Sequence, residues 1–347
     1  MRILELNTER TWRGGERQTI YDVLGYKLQG NESLVICRKN FPLAEHCKQN
    51  NLNHKEITST RQLIWFLMFK SRKFDIIHCQ TSKTQQMAVL TKWFHGRKVV
   101  YTRRLDFVPK GFFSILKYKW TTHIVAITPA IKKILEQVGI KKITVISEVV
   151  EQKELNKKRA QEYLASLNVA NKKIIGTTAA FVQHKDPLTM VKAIHMLSKI
   201  RQDFIFIHFG DGVLLPEVKK AIASAKLESF YHLAGFMQNV EDMFSVFDVF
   251  AMSSEEEGLG SSVLDAFMYK VPVVSTNAGG LADVIGENGL LCNVKDHEAL
   301  AKNMDKILSD QNLRNELTEK AFKQAKENHS LETISKHYAD LFSSLLS

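Results

Sequence analysis

The 347-residue chain is long for a single core and about right for two domains, and two domains imply a cleft. With 44% hydrophobic residues, 24% charged residues and six prolines, its composition excludes a disordered or low-complexity protein. The net charge of +11 is uneven: residues 1–150 hold 26 Lys+Arg against 11 Asp+Glu, leaving 22 against 26 for the remainder, so the first half suits an anionic partner unless the charge only aids solubility.

Four scattered cysteines (Cys37, Cys47, Cys79, Cys292) form no CxxC pair and have no histidines at zinc-ligand spacing, which fits a reducing compartment and no structural metal. The opening Met1-Arg2-Ile3-Leu4-Glu5-Leu6-Asn7 turns polar too soon for a signal peptide and reads as a first buried strand. The longest apolar run, Leu63 to Phe69, is too short to span a bilayer. A cytoplasmic protein is expected, working at the inner face of a membrane.

In chain order, short apolar runs at Ile3 to Leu6, Leu34 to Cys37, Ile76 to Cys79, Val99 to Thr102, Ile124 to Ile127 and Ile143 to Ile146 alternate with helical stretches. After a charged, helix-prone segment from Glu151 to Lys173 the theme repeats at Ile174 to Thr177, Phe204 to Phe209, Tyr231 to Leu233, Val249 to Met252, Val271 to Ser275 and Leu290 to Asn293. Alternating strands and helices predict two doubly wound parallel sheets. The boundaries expected are 1–165, 166–328 and a final helix, 329–347, whose stripe of Ile334, Tyr338, Leu341 and Leu345 needs a surface to bury against.

Trp12-Arg13-Gly14-Gly15-Glu16 follows the first strand and opens a helix, where an open α/β sheet binds ligands; a plain tight turn is the alternative. At other strand ends of this half stand Arg103 and Arg104, suited to bidentate grip on a phosphate, and His78. Leu63 to Lys73 and Lys110 to Trp120 interleave aromatics with cations, as on an anionic leaflet or on ordinary core-facing helices.

The strongest signal runs Ser253-Ser254-Glu255-Glu256-Glu257-Gly258-Leu259-Gly260-Ser261-Ser262, with Asp265 following. A strand ends, a small-residue loop follows, and a helix begins near Ser261; its unpaired amides and positive dipole end favour an oxyanion. Glu257 and Asp265 accept hydrogen bonds only, which suits paired sugar hydroxyls, although Asp265 is also an ordinary acid near a helix start.

This stretch resembles the signature of the retaining glycosyltransferases of the GT-B fold, the group that includes lipopolysaccharide-core and mannosyl transferases. Gly279-Gly280 looks like that family's next donor loop, and Gly176 to Leu188 like its phosphate-binding segment, with Lys185 at the lysine place and Ala180 where an arginine is usual. Phe209-Gly210-Asp211-Gly212 matches its strand-end turn, while Ser147-Glu148-Val149-Val150 departs from its usual Asn-Gly-x-Asp hinge. The resemblance implies a GT-B fold, two Rossmann-like domains with the donor in the cleft and configuration retained. It implies that Glu257 and Lys185 are catalytic, and that Gly14, Gly15, Gly210, Gly258, Leu259, Gly260, Ser261, Ser262 and Asp265 hold a nucleotide-diphospho-sugar. Aspartate at 265 replaces the usual glutamate.

Arg103, Arg104 and His78 are the expected acceptor or phosphate contacts, for a lipid-linked or lipopolysaccharide-type acceptor. Without a DxD motif, transfer is expected to need neither metal nor cofactor, and no nucleic-acid partner is expected. Two rivals are a nucleotide-sugar 2-epimerase of the same architecture, disfavoured by Glu257-Gly258-Leu259-Gly260, and a basic nucleic-acid-binding protein, for which no recognisable module is present.

Overall fold

A computed structural model describes all residues 1–347 and places the apolar runs in two all-parallel sheets of seven and six strands. The chain divides into unit 1, Met1–Val149 with Asn328–Ser347, and unit 2, Val150–Glu327.

In unit 1 the strands are β1 (Arg2–Leu6), β2 (Glu32–Arg38), β3 (His54–Ile57), β4 (Ile76–Cys79), β5 (Lys98–Arg103), β6 (His123–Ala126) and β7 (Ile143–Val145), in the order β3-β2-β1-β4-β5-β6-β7. The connecting helices are α1 (Gly14–Leu28), α2 (Pro42–Gln49), α3 (Thr60–Phe69), α4 (Ser82–Leu90), α5 (Lys92–His95), α6 (Phe112–Trp120) and α7 (Pro129–Gln137). Strand order reverses between β1 and β4, and in such sheets ligands bind outside the carboxyl ends of the strands at the reversal. Strand β3 escapes the sequence pattern because His54-Lys55-Glu56-Ile57 is a polar edge strand, half-exposed rather than buried on both faces.

In unit 2 the strands are β8 (Lys173–Thr178), β9 (Phe204–Phe209), β10 (Tyr231–Gly235), β11 (Val249–Ala251), β12 (Val273–Thr276) and β13 (Leu290–Cys292), in the order β10-β9-β8-β11-β12-β13, with the reversal between β8 and β11. Its helices are α8 (Lys157–Ser166), α9 (Pro187–Ile200), α10 (Leu215–Ser224), α11 (Ser261–Met268), α12 (Gly280–Ile285), α13 (His297–Ser309) and α14 (Gln311–Asn328). Strand β9 is buried at every position, as expected when helices cover both faces. The units meet in sequence at Val149/Val150 rather than at 165. Helix α8 lies with unit 2 because it packs on the 3-10 segment Val240–Val246: the Asn156 amide donates to Asp242 Oδ1 at 2.9 Å, and Arg159 pairs with Asp242 at 3.4 Å.

The last helix, α15 (Leu331–Leu346), is started by Ser330, whose side chain caps the Thr333 amide at 3.2 Å. It returns to unit 1 and lies against α1, burying Ile334, Tyr338, Leu341 and Phe342. The approach is close at Gly25, where a Cβ would come within 2.7 Å of Ser335 Cβ.

Candidate functional site

In unit 2 the loops leaving β8 and β11 lie side by side at the reversal point. The Glu255 amide donates to the His184 carbonyl at 2.8 Å and Ser253 Oγ to the Asp186 carbonyl at 2.8 Å. This stitching brings the Lys185 ammonium onto the Glu257 carboxylate, an ion pair between residues 72 apart in sequence. Both side chains are mostly but not fully buried, at 19% and 15% exposure. Behind the pair, the Gly280 amide donates to the Glu257 carbonyl at 2.7 Å, so the glycine pair opening α12 buttresses the acid's backbone.

Asp186 holds the loop's exit. It sits at φ +41 and caps α9, accepting from the Thr189 amide at 3.2 Å and its hydroxyl at 2.6 Å, while Pro187 takes the first helical position.

Gly260 is the residue before α11, at φ +79, a left-handed conformation that disfavours any side chain. The first amides of α11 have no intrahelical acceptor, so Ser261 and Ser262 present donors at the positive end of the helix. Ser262 Oγ also reaches the Thr178 carbonyl at the end of β8, at 3.4 Å. Leu259 is buried beneath the loop, and Asp265 is buried in the second turn of α11, 8% exposed.

Gly210 ends β9 and is locked by the opposite loop: its amide donates to Gly235 O at 2.9 Å, and a Cβ would lie 2.0 Å from the Ala179 carbonyl oxygen. That carbonyl accepts from His208 Nε2 at 3.0 Å, and His208 Nδ1 meets Tyr231 OH at 2.8 Å. Burial holds the His208 imidazole neutral, with its pKa pushed down to about 4. A cavity of about 10 Å³, room for roughly one water, lies between Lys185, His208 and Ser253. A groove of about 930 Å³ between α9 and α10 is lined by none of the candidate catalytic or donor-binding residues.

In unit 1, Gly14 and Gly15 open α1, with the Arg13 amide bonded to Glu16 Oε2 at 2.8 Å. Arg104 is beside them: a Cβ on Gly15 would touch its Cδ at 3.8 Å. Arg104 is partly exposed and already paired with Glu148 at 2.6 Å and with Gln80 Oε1 at 2.6 Å.

Two residues expected as ligand contacts are corrected here. Arg103 is 1% exposed, and its two terminal nitrogens donate to Tyr118 OH and the Phe107 carbonyl. His78 is fully buried, with Nδ1 on Tyr26 OH at 2.6 Å and Glu5 at 2.9 Å, and Nε2 on Thr102 at 2.7 Å. Both are core polar groups whose partners are internal.

Sequence reading missed the network that holds His78. Glu5 and His78 are register partners on β1 and β4, and Tyr26, Asp22, Gln80 and Arg104 complete it. Polar residues inside otherwise apolar strands, Ile3-Leu4-Glu5-Leu6 and Ile76-Ile77-His78-Cys79, were the available signal. The oxygens and nitrogen of Glu5, Asp22 and His78 lie within 4.8 Å of one another, a spacing a metal could use. The Gln80 amide nitrogen stands among them instead, donating to Glu5 and, at 2.8 Å, to Asp22. Burial and the Glu5 charge push the Asp22 carboxyl up to about 7.

Residues 159–324 match the family model of glycosyl transferases group 1. The lipopolysaccharide core biosynthesis glycosyltransferase LpsE of Rhizobium meliloti (strain 1021) is 28% identical over 179 residues, 50% of this chain and 51% of that protein. The chain thus spans about half the length of the curated relative it matches. Among solved structures, Anabaena Alr3699/HepE in complex with UDP-glucose superimposes with a TM-score of 0.86 at 19% identity, covering 99% of this chain and 100% of that one. A glycosyltransferase from Rickettsia africae ESF-5 gives 0.86 at 22%, covering 100% and 98%. These likenesses show the fold, that of the GT-B glycosyltransferases with two Rossmann-like parallel sheets. The match to the glycosyl transferases group 1 model thus falls, across residues 159–324, within unit 2.

Proposed function

We propose that the protein is a glycosyltransferase that takes a sugar from a nucleotide-diphospho-sugar and passes it to a glycan or lipid-linked acceptor of the cell envelope, on the cytoplasmic side. The observation that carries this is the Lys185–Glu257 pair at the start of α11, within the stretch that matches the group 1 model. Cleaving the donor builds negative charge on the leaving diphosphate and positive character on the sugar carbon, so fixed donors at the phosphate and an acid at the sugar act on the transition state. Lys185 and the amides of Ser261 and Ser262 fill the first role, Glu257 the second, and Asp265 the ribose.

The cation at the diphosphate is supplied by the chain itself, which is why transfer is proposed to be metal-independent. Retention of configuration is part of the proposal, supported by the resemblance of the Ser253 to Asp265 stretch to the retaining enzymes. Gly14, Gly15 and Arg104 remain the candidates of unit 1 for phosphate or acceptor contacts. Arg104 would have to release Glu148 or Gln80 to take a new anion. The UDP-glucose in the Anabaena complex makes UDP-sugars the first donors to try.

The test is turnover of nucleotide sugars, followed as release of nucleoside diphosphate. Glu257→Ala should lower kcat by at least about 100-fold, the usual cost of losing a group that stabilises developing charge, with thermal stability retained. Full activity in that variant would overturn the assignment.

A further inference from the structure

Apolar surface is not spread evenly over this protein. Of the sixteen large apolar residues that stand exposed, eleven fall between Trp65 and Trp120, including three of the four tryptophans. The same stretch, residues 60–120, carries 13 Lys+Arg against two acids, Asp75 and Asp106. One of these, Asp75, is engaged by the Arg2 amide at 2.7 Å. Exposed aromatics and an excess of positive charge therefore coincide on one segment, even with Arg103 buried and Arg104 paired with Glu148 set aside.

The fold gathers those carried by α3, α4, α5 and α6 on one face of unit 1, while Leu105, Phe107 and Val108 lie in the loop between β5 and α6. Right-handed crossovers place the helices of connections running from β3 toward β7 on the face of the sheet opposite α1, α2 and α15. Helices α3, α4, α5 and α6 pack on one another there. Trp65 and Phe69 pair at 5.9 Å on α3, with Lys70 over the Trp65 ring at 5.8 Å. Arg72 donates to the Phe94 carbonyl at 2.7 Å and Lys92 to the Trp120 carbonyl at 2.9 Å, joining α3, α5 and the end of α6 through basic side chains. Trp93, between those contacts, is 96% exposed.

We infer that this face docks on an anionic lipid surface. An interfacial membrane site combines tryptophan and phenylalanine, which seat at headgroup depth, with lysine and arginine drawn to acidic headgroups. A contact between two copies of the chain would place like charges against each other and crowd lysines into a region that interfaces deplete. The rings ride on the outer helices, with aliphatic Leu90 exposed among them, which suits a layer of acyl chains.

The inference does not depend on the transferase proposal, since binding is measured without donor. Full-length protein is sedimented with vesicles of phosphatidylcholine alone and of phosphatidylcholine with phosphatidylglycerol, at low and high salt. Expected is binding to the phosphatidylglycerol vesicles, a blue shift of tryptophan emission, and loss of binding at high salt. Trp65→Ser with Trp93→Ser should weaken it by about tenfold or more, and Lys70→Gln with Lys119→Gln should do the same. All four side chains are exposed, and unchanged thermal melting verifies the folds. Equal binding to both vesicle types, or undiminished binding by both variants, overturns the inference. So does a lipid-free dimer that the tryptophan variant dissolves, or binding to an RNA oligonucleotide with none to vesicles.

Discussion

Replacing Gly260 by alanine probes the loop that presents α11 while leaving every charged group in place: the new Cβ would meet Glu257 Cγ only at 3.7 Å, ordinary van der Waals contact. At φ +79 an L-residue pays roughly 1–2 kcal/mol. The new Cβ would also lie 2.4 Å from Leu281 Cδ2, the end of a fully buried but rotatable side chain that can turn aside for about 0.5–1.5 kcal/mol. The sum, about 1.5–3.5 kcal/mol, is survivable for a domain of this size. Gly210→Ala is different in kind, because its Cβ would meet the Ala179 carbonyl oxygen at 2.0 Å and backbone cannot rotate away. Urea unfolding should thus rank the variants wild type, then Gly260→Ala, then Gly210→Ala. Gly260→Ala should remain folded yet bind nucleoside diphosphate at least about tenfold more weakly, because the helix start shifts. A Gly260→Ala protein with unchanged stability and unchanged affinity would refute the reasoning, as would a reversed order of the two variants.

Two pH dependences follow from buried groups. Asp22 is raised to about 7 in the folded protein from 3.8, so it favours folding below 3.8 and that contribution is lost as pH rises through about 7. Asp22→Asn should flatten that fall, and parallel unfolding curves for variant and wild type from pH 4 to 8 would count against the buried network. His208 has the opposite sign: with its pKa at about 4, it stays neutral while the unfolded residue protonates below 6.5. Stability should fall between pH 6.5 and 4, by up to about 3 kcal/mol, and substituting leucine for His208 should remove that slope in urea titrations.

The architecture was legible because parallel strands buried on both faces read as uninterrupted apolar runs. Phe204 to Phe209 coincides with β9, and Ile76 to Cys79 with β4. The polar edge strand β3 carries no such signature and stayed hidden. In unit 2, local sequence marked Glu257, Gly258 and Gly260, and the structure adds what spacing cannot show: that Lys185, 72 residues earlier, meets Glu257. In unit 1, position at a strand end was an insufficient guide. Arg103 and His78 stand at such ends, yet their side chains are buried in the core, where Tyr118 accepts from Arg103 and Glu5 and Tyr26 bond His78. The Glu5–His78 register pair arises from strands 73 residues apart, and only the sheet order reveals it.

Amide hydrogen exchange of residues 258–263, with and without a saturating nucleoside diphosphate, bears most directly on the donor site. The account predicts slower exchange there and in the Lys185 loop, as phosphate oxygens take up the first amides of α11. Binding that leaves those amides unaffected, or protects only segments of unit 1, would contradict it.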